Sequence, residues 1–281
     1  METDLFYVYR CFIIPTSHQY NIYDNKLSKE NLFNQEIIRL SNSNKTVFQY
    51  WKNRHIIFFD QIGNDRLFTF RYAKPIVRTK KVEGDQAIHE IIDAELKTVK
   101  VIIDIKWQYF LVEKNTREFN NREQVINAWE SYLSQRLRFH GYTIKISELP
   151  EKKDFWEFVS KHENINRLSL SFNAPNILFG NMETREALKQ IKNDCNNDEV
   201  SIMLKSRENM LVISEKIGKY VDYISDVGGK YLIAAKSSGK TYILKSHEAI
   251  KTMRMPKSFD SHAKDKLINI IDELHKDDKG R

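Results

Sequence analysis

Three short runs of aromatic and β-branched residues follow one another in the first third of the chain and constrain its fold most strongly. They are Val47–Trp51, His55–Asp60 and Arg66–Tyr72, and the short segments Lys52–Arg54 and Ile62–Asp65 separate them. Runs of this length joined by short turns are typical of antiparallel strands. The sequence therefore predicts a three-stranded antiparallel meander within an N-terminal lobe at residues 1–80.

Strand and helix patterns alternate through the rest of the chain. Its 281 residues exceed the usual size of one core, so two lobes are expected, with a single large domain as the alternative. A charge-rich stretch at residues 81–98 is predicted to be a linker, followed by a larger C-terminal lobe at residues 99–281. The further predicted strands are Phe6–Ile14, Val99–Lys106, Tyr109–Glu113, Tyr142–Ser147, Arg167–Phe172, Val200–Lys205, Lys230–Lys236 and Thr241–Lys245. The predicted helices are Lys29–Leu40, Asn121–His140, Lys153–His162, Met182–Lys192, Arg207–Ile224 and Ser261–His275. We expect an α+β fold, with an antiparallel meander lobe followed by a mixed α/β lobe.

The chain is basic, with 45 Lys and Arg against 38 Asp and Glu, a net charge of +7 and a pI of about 9.1. This excess favours anionic partners such as nucleic acid, nucleotides or a membrane surface. Cys11 and Cys195 match no disulfide framework, and neither they nor the eight histidines show a metal-ligand spacing. We expect no metal or other cofactor and a reducing, cytoplasmic location. No apolar run approaches the ~20 residues that span a bilayer.

The segment Ala234–Thr241 fits a relaxed phosphate-binding loop pattern, in which backbone N–H groups cradle phosphates before a helix. Strand-like runs flank it on both sides, however, whereas such a loop needs a strand before it and a helix after it. The sequence therefore predicts a hairpin turn at Ser237–Gly239 and no nucleotide hydrolysis.

Asp93, Asp104 and Lys106 match the loose pattern of restriction-type nucleases. In that chemistry two carboxylates hold Mg²⁺ and a lysine stabilises charge at the scissile phosphate. The alternative is that Asp104 and Lys106 line the solvated face of a strand, because they alternate with Ile103 and Ile105.

A strong excess of cations runs from residue 230 to residue 257, where seven Lys and Arg stand against one acid, Glu248. The cations are Lys230, Lys236, Lys240, Lys245, Lys251, Arg254 and Lys257. Such an excess in one hairpin and its following loop predicts a surface that binds phosphates. The alternative is an edge strand that lysines protect from aggregation.

A second, weaker cluster of cations stands at the predicted lobe boundary. It consists of Arg71, Lys74, Arg78, Lys80 and Lys81. These residues could line a nucleic-acid-binding cleft, or they could belong to a solvated linker.

Aromatic residues of the predicted meander offer another way to bind nucleic acid, because bases stack on exposed rings. Their strand-like spacing favours core packing instead. They are Phe48, Tyr50, Trp51, Phe58, Phe59, Phe68, Phe70 and Tyr72.

The order of these patterns resembles that of the RexA phage-exclusion proteins and, more distantly, the KwaB component of Kiwa anti-phage systems. The resemblance lies in the opening Phe6–Arg10, in the strand–helix–strand course from Val99 to Asn176, and in the tail. In the tail, strand Val200–Lys205, a long helix, the hairpin at residues 230–245 and a terminal helix follow in order. The resemblance implies a homodimeric double-stranded-DNA-binding protein of phage defence or exclusion. It further implies a separate membrane-protein partner and no catalytic centre.

Charge and resemblance together favour a non-catalytic protein that binds double-stranded DNA largely through phosphates, with little sequence preference. A Mg²⁺-dependent nuclease using Asp93, Asp104 and Lys106 is the main alternative. A third hypothesis is an interaction module whose basic patch meets an acidic protein surface or anionic lipid headgroups.

Overall fold

Aromatic and β-branched runs form strands in this protein, and amphipathic runs form helices. The computed structural model describes residues 3–16, 28–62, 65–83, 88–115, 119, 122–173, 182–195, 197, 199–207, 210–257 and 261–279. It describes the backbone alone at residues 61–62, 77–83, 88–94, 182, 193, 261–264 and 276–279.

The fold is α+β, as the sequence predicts. Its strands are β1 (Thr3–Pro15), β2 (Lys45–Tyr50), β3 (Asn53–Ile62), β4 (Leu67–Glu83), β5 (Ile88–Asp104), β6 (Tyr109–Glu113), β7 (Tyr142–Glu148), β8 (Ile165–Asn173), β9 (Glu199–Lys205), β10 (Gly229–Ser237), β11 (Lys240–Lys245) and β12 (Thr252–Pro256). Its helices are α1 (Lys29–Ser41), α2 (Arg122–Leu137), α3 (Lys152–Lys161), α4 (Met182–Cys195), α5 (Glu215–Val227) and α6 (Ser261–Lys279). Short 3₁₀ turns follow α2 and β11.

The first of two structural units, called here the meander unit, comprises Pro15–Lys106 and Phe110–Ile144. The predicted three-stranded meander is confirmed, because β2 pairs with β3 and β3 with β4, all antiparallel. The meander continues into β5, and the strand order within this unit is β6-β5-β4-β3-β2.

The stretch predicted to be a linker is instead part of a long hairpin. Residues 81–83 belong to β4 and residues 88–98 to β5, and the two strands pair without interruption. Their register sets Arg78 opposite Asp93 and Lys81 opposite Glu90. Opposite charges on facing strand positions favour pairing. A charge-rich composition is therefore compatible with strands here, and the division into lobes at residues 80 and 99 does not match the units.

Helix α2 packs against the meander through aromatic rings. The ring of Trp129 stands edge-on to Phe70, with centroids 5.5 Å apart, and the ring of Tyr132 lies 5.0 Å from Phe48. These side chains are buried. An edge-to-face contact such as that of Trp129 with Phe70 stabilises a core beyond simple area burial.

The second unit, called here the four-stranded unit, comprises Met1–Ile14, Trp107–Tyr109 and Lys145–Arg281. Four antiparallel strands form one sheet in the order β11-β10-β8-β9. In the same unit β12 lies antiparallel to β1, where the sequence predicts only a loop after the hairpin.

One face of the four-stranded sheet carries the core of this unit. Leu168, Leu170 and Ile233 from the sheet pack with Phe155 of α3 and Val221 of α5 in one buried cluster. Leu188 of α4 joins the same cluster. Helices therefore cover this face, and the opposite face of the sheet takes no part in the cluster.

Helix α5 begins later than the sequence predicts. Ser214 stands at its N-terminus in an extended conformation, and its hydroxyl accepts a hydrogen bond from the N–H of Ile217. This cap fixes the start at Glu215 rather than Arg207. Among the described residues, no helix is both long enough and apolar enough to cross a membrane.

Candidate nucleic-acid interface

The predicted basic hairpin lies in the four-stranded sheet, and the strand period divides its side chains between two faces. Tyr231 and Ile233 of β10 point to the core. Lys230 and Lys236 alternate with them and are exposed on the opposite face. Lys245 of β11 pairs with Leu232, so it shares that opposite face. It too is exposed.

Two further cations reach the same face from β8 and β9. Ala234 of β10 pairs with Arg167 of β8, and Arg167 pairs with Lys205 of β9. Directly paired residues point to the same side of a sheet. Lys205 is exposed, and Arg167 is half-buried with its Nε atom enclosed. We call Arg167, Lys205, Lys230, Lys236 and Lys245 together the basic sheet face.

The basic sheet face carries little opposing charge. Glu199 is the one carboxylate at an outward position of these four strands, next to the hydrogen-bonded hydroxyls of Ser171 and Ser201. Within the described part of the chain, none of the five cations forms an ion pair. The face therefore presents a net positive field to solvent.

The dimensions of the basic sheet face suit a polyanion. Lys230 and Lys236 are six residues apart on β10, which is roughly 20 Å at about 3.3 Å per residue. Four strands at about 4.8 Å spacing add a width of roughly 14 Å. Between the cations lie apolar side chains, of which Met203 is 53% and Ile243 51% exposed. Such side chains can contact sugars while lysines contact phosphates.

The remaining cations of the predicted hairpin patch lie elsewhere. Lys240 pairs with Ser237 at the end of the hairpin, at a strand position on the same side of the sheet as the core residues. Arg254 is exposed on β12, where it pairs with Leu5. Lys251 and Lys257 flank β12, and Lys251 makes backbone hydrogen bonds to Leu149 and Val8. The sequence patch is therefore divided among separate surfaces of one unit.

The second predicted cluster belongs to the meander unit. Arg71 is exposed on β4 and forms an ion pair with Asp60 at 3.5 Å, and Lys74 is half-buried. The side chains of Arg78, Lys80 and Lys81 lie outside the described residues. By backbone register these three positions face Asp93, Ile91 and Glu90. Acids accordingly stand opposite two of these cations, unlike on the basic sheet face.

The proposed nuclease residues do not form one metal site. Asp93 and Asp104 both lie on β5, eleven residues apart, which is roughly 36 Å along a strand. The side chain of Asp93 lies outside the described residues, but no rotamer spans that distance. A Mg²⁺ ion needs its ligands within about 2.1 Å.

Asp104 is held in the protein interior by an ion pair and a backbone hydrogen bond. It is fully buried rather than on the solvated strand face that the sequence predicts. Arg66 binds its Oδ2 at 2.6 and 2.9 Å, and the backbone N–H of Lys106 donates to its Oδ1 at 2.8 Å. Lys106 itself is exposed in the turn after β5. Among the described residues, no group of three His, Cys, Asp or Glu side chains could hold a metal ion.

The predicted hairpin turn at Ser237–Gly239 is confirmed. Ser237 pairs with Lys240, so Ser238 and Gly239 form a two-residue connection between β10 and β11. Both have positive φ angles, 50° and 74°, as the favoured two-residue hairpin turn requires. No helix follows the turn, so the phosphate-binding-loop alternative lacks its structural context.

Sequence reasoning missed Arg167 and Lys205 because they stand far from the basic hairpin in the chain. Both lie in strands that the sequence predicts, where alternation with Leu168 and Leu204 already assigns them to an outward face. Only the strand order β11-β10-β8-β9 adds them to Lys230, Lys236 and Lys245. Comparison with known proteins adds no further evidence, since no protein-family model and no curated protein matches the chain.

Proposed function

We propose that this protein binds double-stranded DNA with little sequence preference and without catalysis, through the basic sheet face. One observation carries the proposal: strand pairing gathers five cations on one exposed face, and none of them forms an ion pair among the described residues. A basic face of this kind is the usual footprint of phosphate contact.

Protection of a sheet edge does not account for these cations. Lysines that block edge-to-edge aggregation stand on edge strands. Lys230 and Lys236 are on β10, which has β11 on one side and β8 on the other, and Arg167 is likewise on a central strand. Only Lys205 and Lys245 occupy edge strands. Phosphate binding, in contrast, benefits from cations anywhere on the face.

The side-chain types favour a duplex and weak sequence readout. Four of the five cations are lysines, which bind phosphates as point charges, whereas the planar fork of arginine reads guanine edges best. The outward positions of the four strands include no aromatic residue. Single-strand binders use such rings to stack bases. The basic sheet face therefore supports backbone contact with a duplex.

The test is fluorescence anisotropy with equal lengths of duplex DNA, single-stranded DNA and RNA over a series of salt concentrations, with and without Mg²⁺. Contact with about five phosphates gives a log–log salt slope of roughly −4 to −5 for duplex DNA. Replacing Arg167, Lys205 and Lys236 together with Gln should flatten that slope by up to about 3 and weaken all duplex sequences alike.

A matched control replaces three exposed helix lysines, Lys189, Lys216 and Lys266, with Gln. It changes the net charge by the same amount, so unchanged binding separates local contact from overall charge. An unaltered slope in the basic-sheet-face variant would contradict the proposal. Cleavage that requires Mg²⁺ would contradict its non-catalytic part. Displacement of DNA by poly-glutamate at equal charge would favour an acidic protein partner.

A role in phage defence or exclusion, as a cytoplasmic homodimer with a membrane-protein partner, is a further part of this proposal. Its support is the resemblance to RexA-type and KwaB proteins described above. The expected result is a lower efficiency of phage plating on bacteria that express the protein. Loss of that effect in the basic-sheet-face variant, with the helix-lysine control still active, would connect defence to DNA binding.

A further inference from the structure

The tip of the β2–β3 hairpin exposes a tryptophan that the fold does not use. Tyr50 pairs with Asn53, so Trp51 and Lys52 form the two-residue connection. Trp51 is 83% exposed, although its place in an aromatic run predicts core packing. The core packing predicted for Phe48, Phe68, Phe70 and Tyr72 is confirmed, because all four are buried.

The backbone conformation at residue 51 is one that a residue with a large side chain rarely adopts. Its φ angle is 54°, in the left-handed region where glycine and asparagine are the favoured residues. The described ring contact of Trp51 is an edge contact with Tyr50, with centroids 6.4 Å apart. Neither the turn nor the core therefore calls for a large ring here, and residues held in costly conformations cluster at functional sites.

The surroundings of Trp51 are cationic and polar. Residues 45–55 include Lys45, Lys52 and Arg54 and no Asp or Glu. Lys52, Asn53 and Arg54 are all exposed, as is Gln49 on β2. Cations contact phosphates, and the amides of Asn and Gln contact base edges. This combination suits nucleic acid better than a lipid surface, where amide groups gain little.

We propose that the β2–β3 hairpin tip inserts Trp51 between base steps of duplex DNA, and that the protein therefore prefers DNA in which a base is already unstacked. A two-stranded β-ribbon fits a DNA groove, and apolar side chains act as wedges there. Opening an intact step costs stacking energy, whereas a mismatch has already lost part of it. The inference rests on the proposed DNA binding and adds a preference for DNA structure.

The test compares the affinities of two duplexes of about 20 base pairs, one intact and one with a single central mismatch. The wild-type protein should bind the mismatched duplex roughly tenfold more tightly, which corresponds to the stacking of about one base-pair step. Trp51→Ala should reduce this ratio to about one, and Trp51→Phe should keep most of it because the phenyl ring still stacks. The emission of a 2-aminopurine base beside the mismatch should change when the wild type binds and stay the same with Trp51→Ala.

Two controls separate this inference from the proposed function. Phe139 is 91% exposed in the same unit and stands beside Arg138, so Phe139→Ala removes an equally exposed ring and should leave the ratio unchanged. The basic-sheet-face variant should weaken binding of both duplexes and also keep the ratio. Equal binding of both duplexes by the wild type would overturn the wedge alone, whereas no binding of either would overturn both proposals.

Two other outcomes also count against the wedge. A ratio that falls as much in Phe139→Ala as in Trp51→Ala would show a general effect of exposed rings. Binding to vesicles of phosphatidylglycerol that depends on Trp51, together with a duplex ratio of one, would assign the hairpin tip to a membrane surface instead.

Discussion

Removal of the Asp104 carboxylate separates a structural role for this residue from a catalytic one. Asp104 is fully buried, and its partner Arg66 keeps only 14% of its side chain exposed. Asp104→Ala leaves the guanidinium of Arg66 without this carboxylate and the N–H of Lys106 without this acceptor. Breaking a buried pair on one side costs about 3–5 kcal/mol, and a lost backbone acceptor about 1 kcal/mol. Because Arg66 retains some access to water, we expect a loss of about 3–4 kcal/mol.

The measurement is urea unfolding, followed by far-ultraviolet circular dichroism and tryptophan emission. A loss of this size is a large part of the about 5–15 kcal/mol that holds a typical domain together. A matched control is Asp60→Ala in the same unit, which removes an Arg–Asp pair with Arg71 that is half exposed, at 3.5 Å. Exposed pairs contribute about 0–1 kcal/mol, so this variant should unfold almost as the wild type does.

A double variant makes the test sharper. Arg66→Met with Asp104→Leu replaces both charges by apolar side chains of similar volume and should recover most of the stability that either single change loses. The coupling energy of the cycle should reach about 2 kcal/mol. Unfolding of Asp104→Ala at the same urea concentration as the wild type would contradict a structural role for this carboxylate. Loss in that variant of a Mg²⁺-dependent cleavage activity that the wild type has would show a catalytic role.

His55, Ser238 and Ser214 each make a smaller contribution to stability than Asp104 does. Burial, with a smaller effect of Lys74, lowers the pKa of His55 below its usual value of about 6.5. The unfolded chain therefore binds the proton more readily than the folded one. Stability should accordingly fall as the pH drops below about 6.5. This dependence reaches at most about 1.4 kcal/mol per pH unit. His55→Gln should flatten it, and urea unfolding of both proteins at pH 7.5 and 5.5 measures the change. Ser238→Asn should stabilise the β10–β11 hairpin by about 0.5 kcal/mol, because Asn tolerates the left-handed conformation better, and a lower melting temperature would contradict this. Ser214→Ala should cost about 1 kcal/mol through loss of the α5 cap, whereas Ser214→Asp should keep it.

The strands and helices could largely be predicted from the sequence because their signals are local. Aromatic and β-branched alternation marks β2, β3 and the start of β4, and the short polar segments between them mark the turns. The predicted linker fails for a physical reason. Charge-rich sequence is typical of solvated linkers, but the register of β4 and β5 sets Arg78 against Asp93, a pairing that depends on contacts distant in sequence.

The candidate site could be predicted only in part. Lys230, Lys236 and Lys245 stand close together in the chain, so a count of charges finds them. Arg167 and Lys205 join them through the pairing of β8 with β10 and β9, and local patterns do not specify which strands become neighbours. Trp51 is a residue whose environment the local pattern predicts wrongly. Its neighbours alternate as strand residues do, but Trp51 lies in the turn between β2 and β3 with a positive φ angle, and its ring is exposed.

The exposed surface of α3 differs from the basic sheet face in how positive and negative charges are mixed. On α3, the exposed Lys153 and Lys161 both pair with Glu157, one turn away on either side, at 3.5 and 3.3 Å. Surfaces that serve solubility mix both signs of charge in this way. The basic sheet face holds five cations and one carboxylate, Glu199, a net charge of +4 against +7 for the whole chain. Such a concentration of like charge destabilises the folded state through repulsion. Under the proposed function, phosphates of a bound duplex would neutralise this charge, and the salt dependence of DNA binding measures that step.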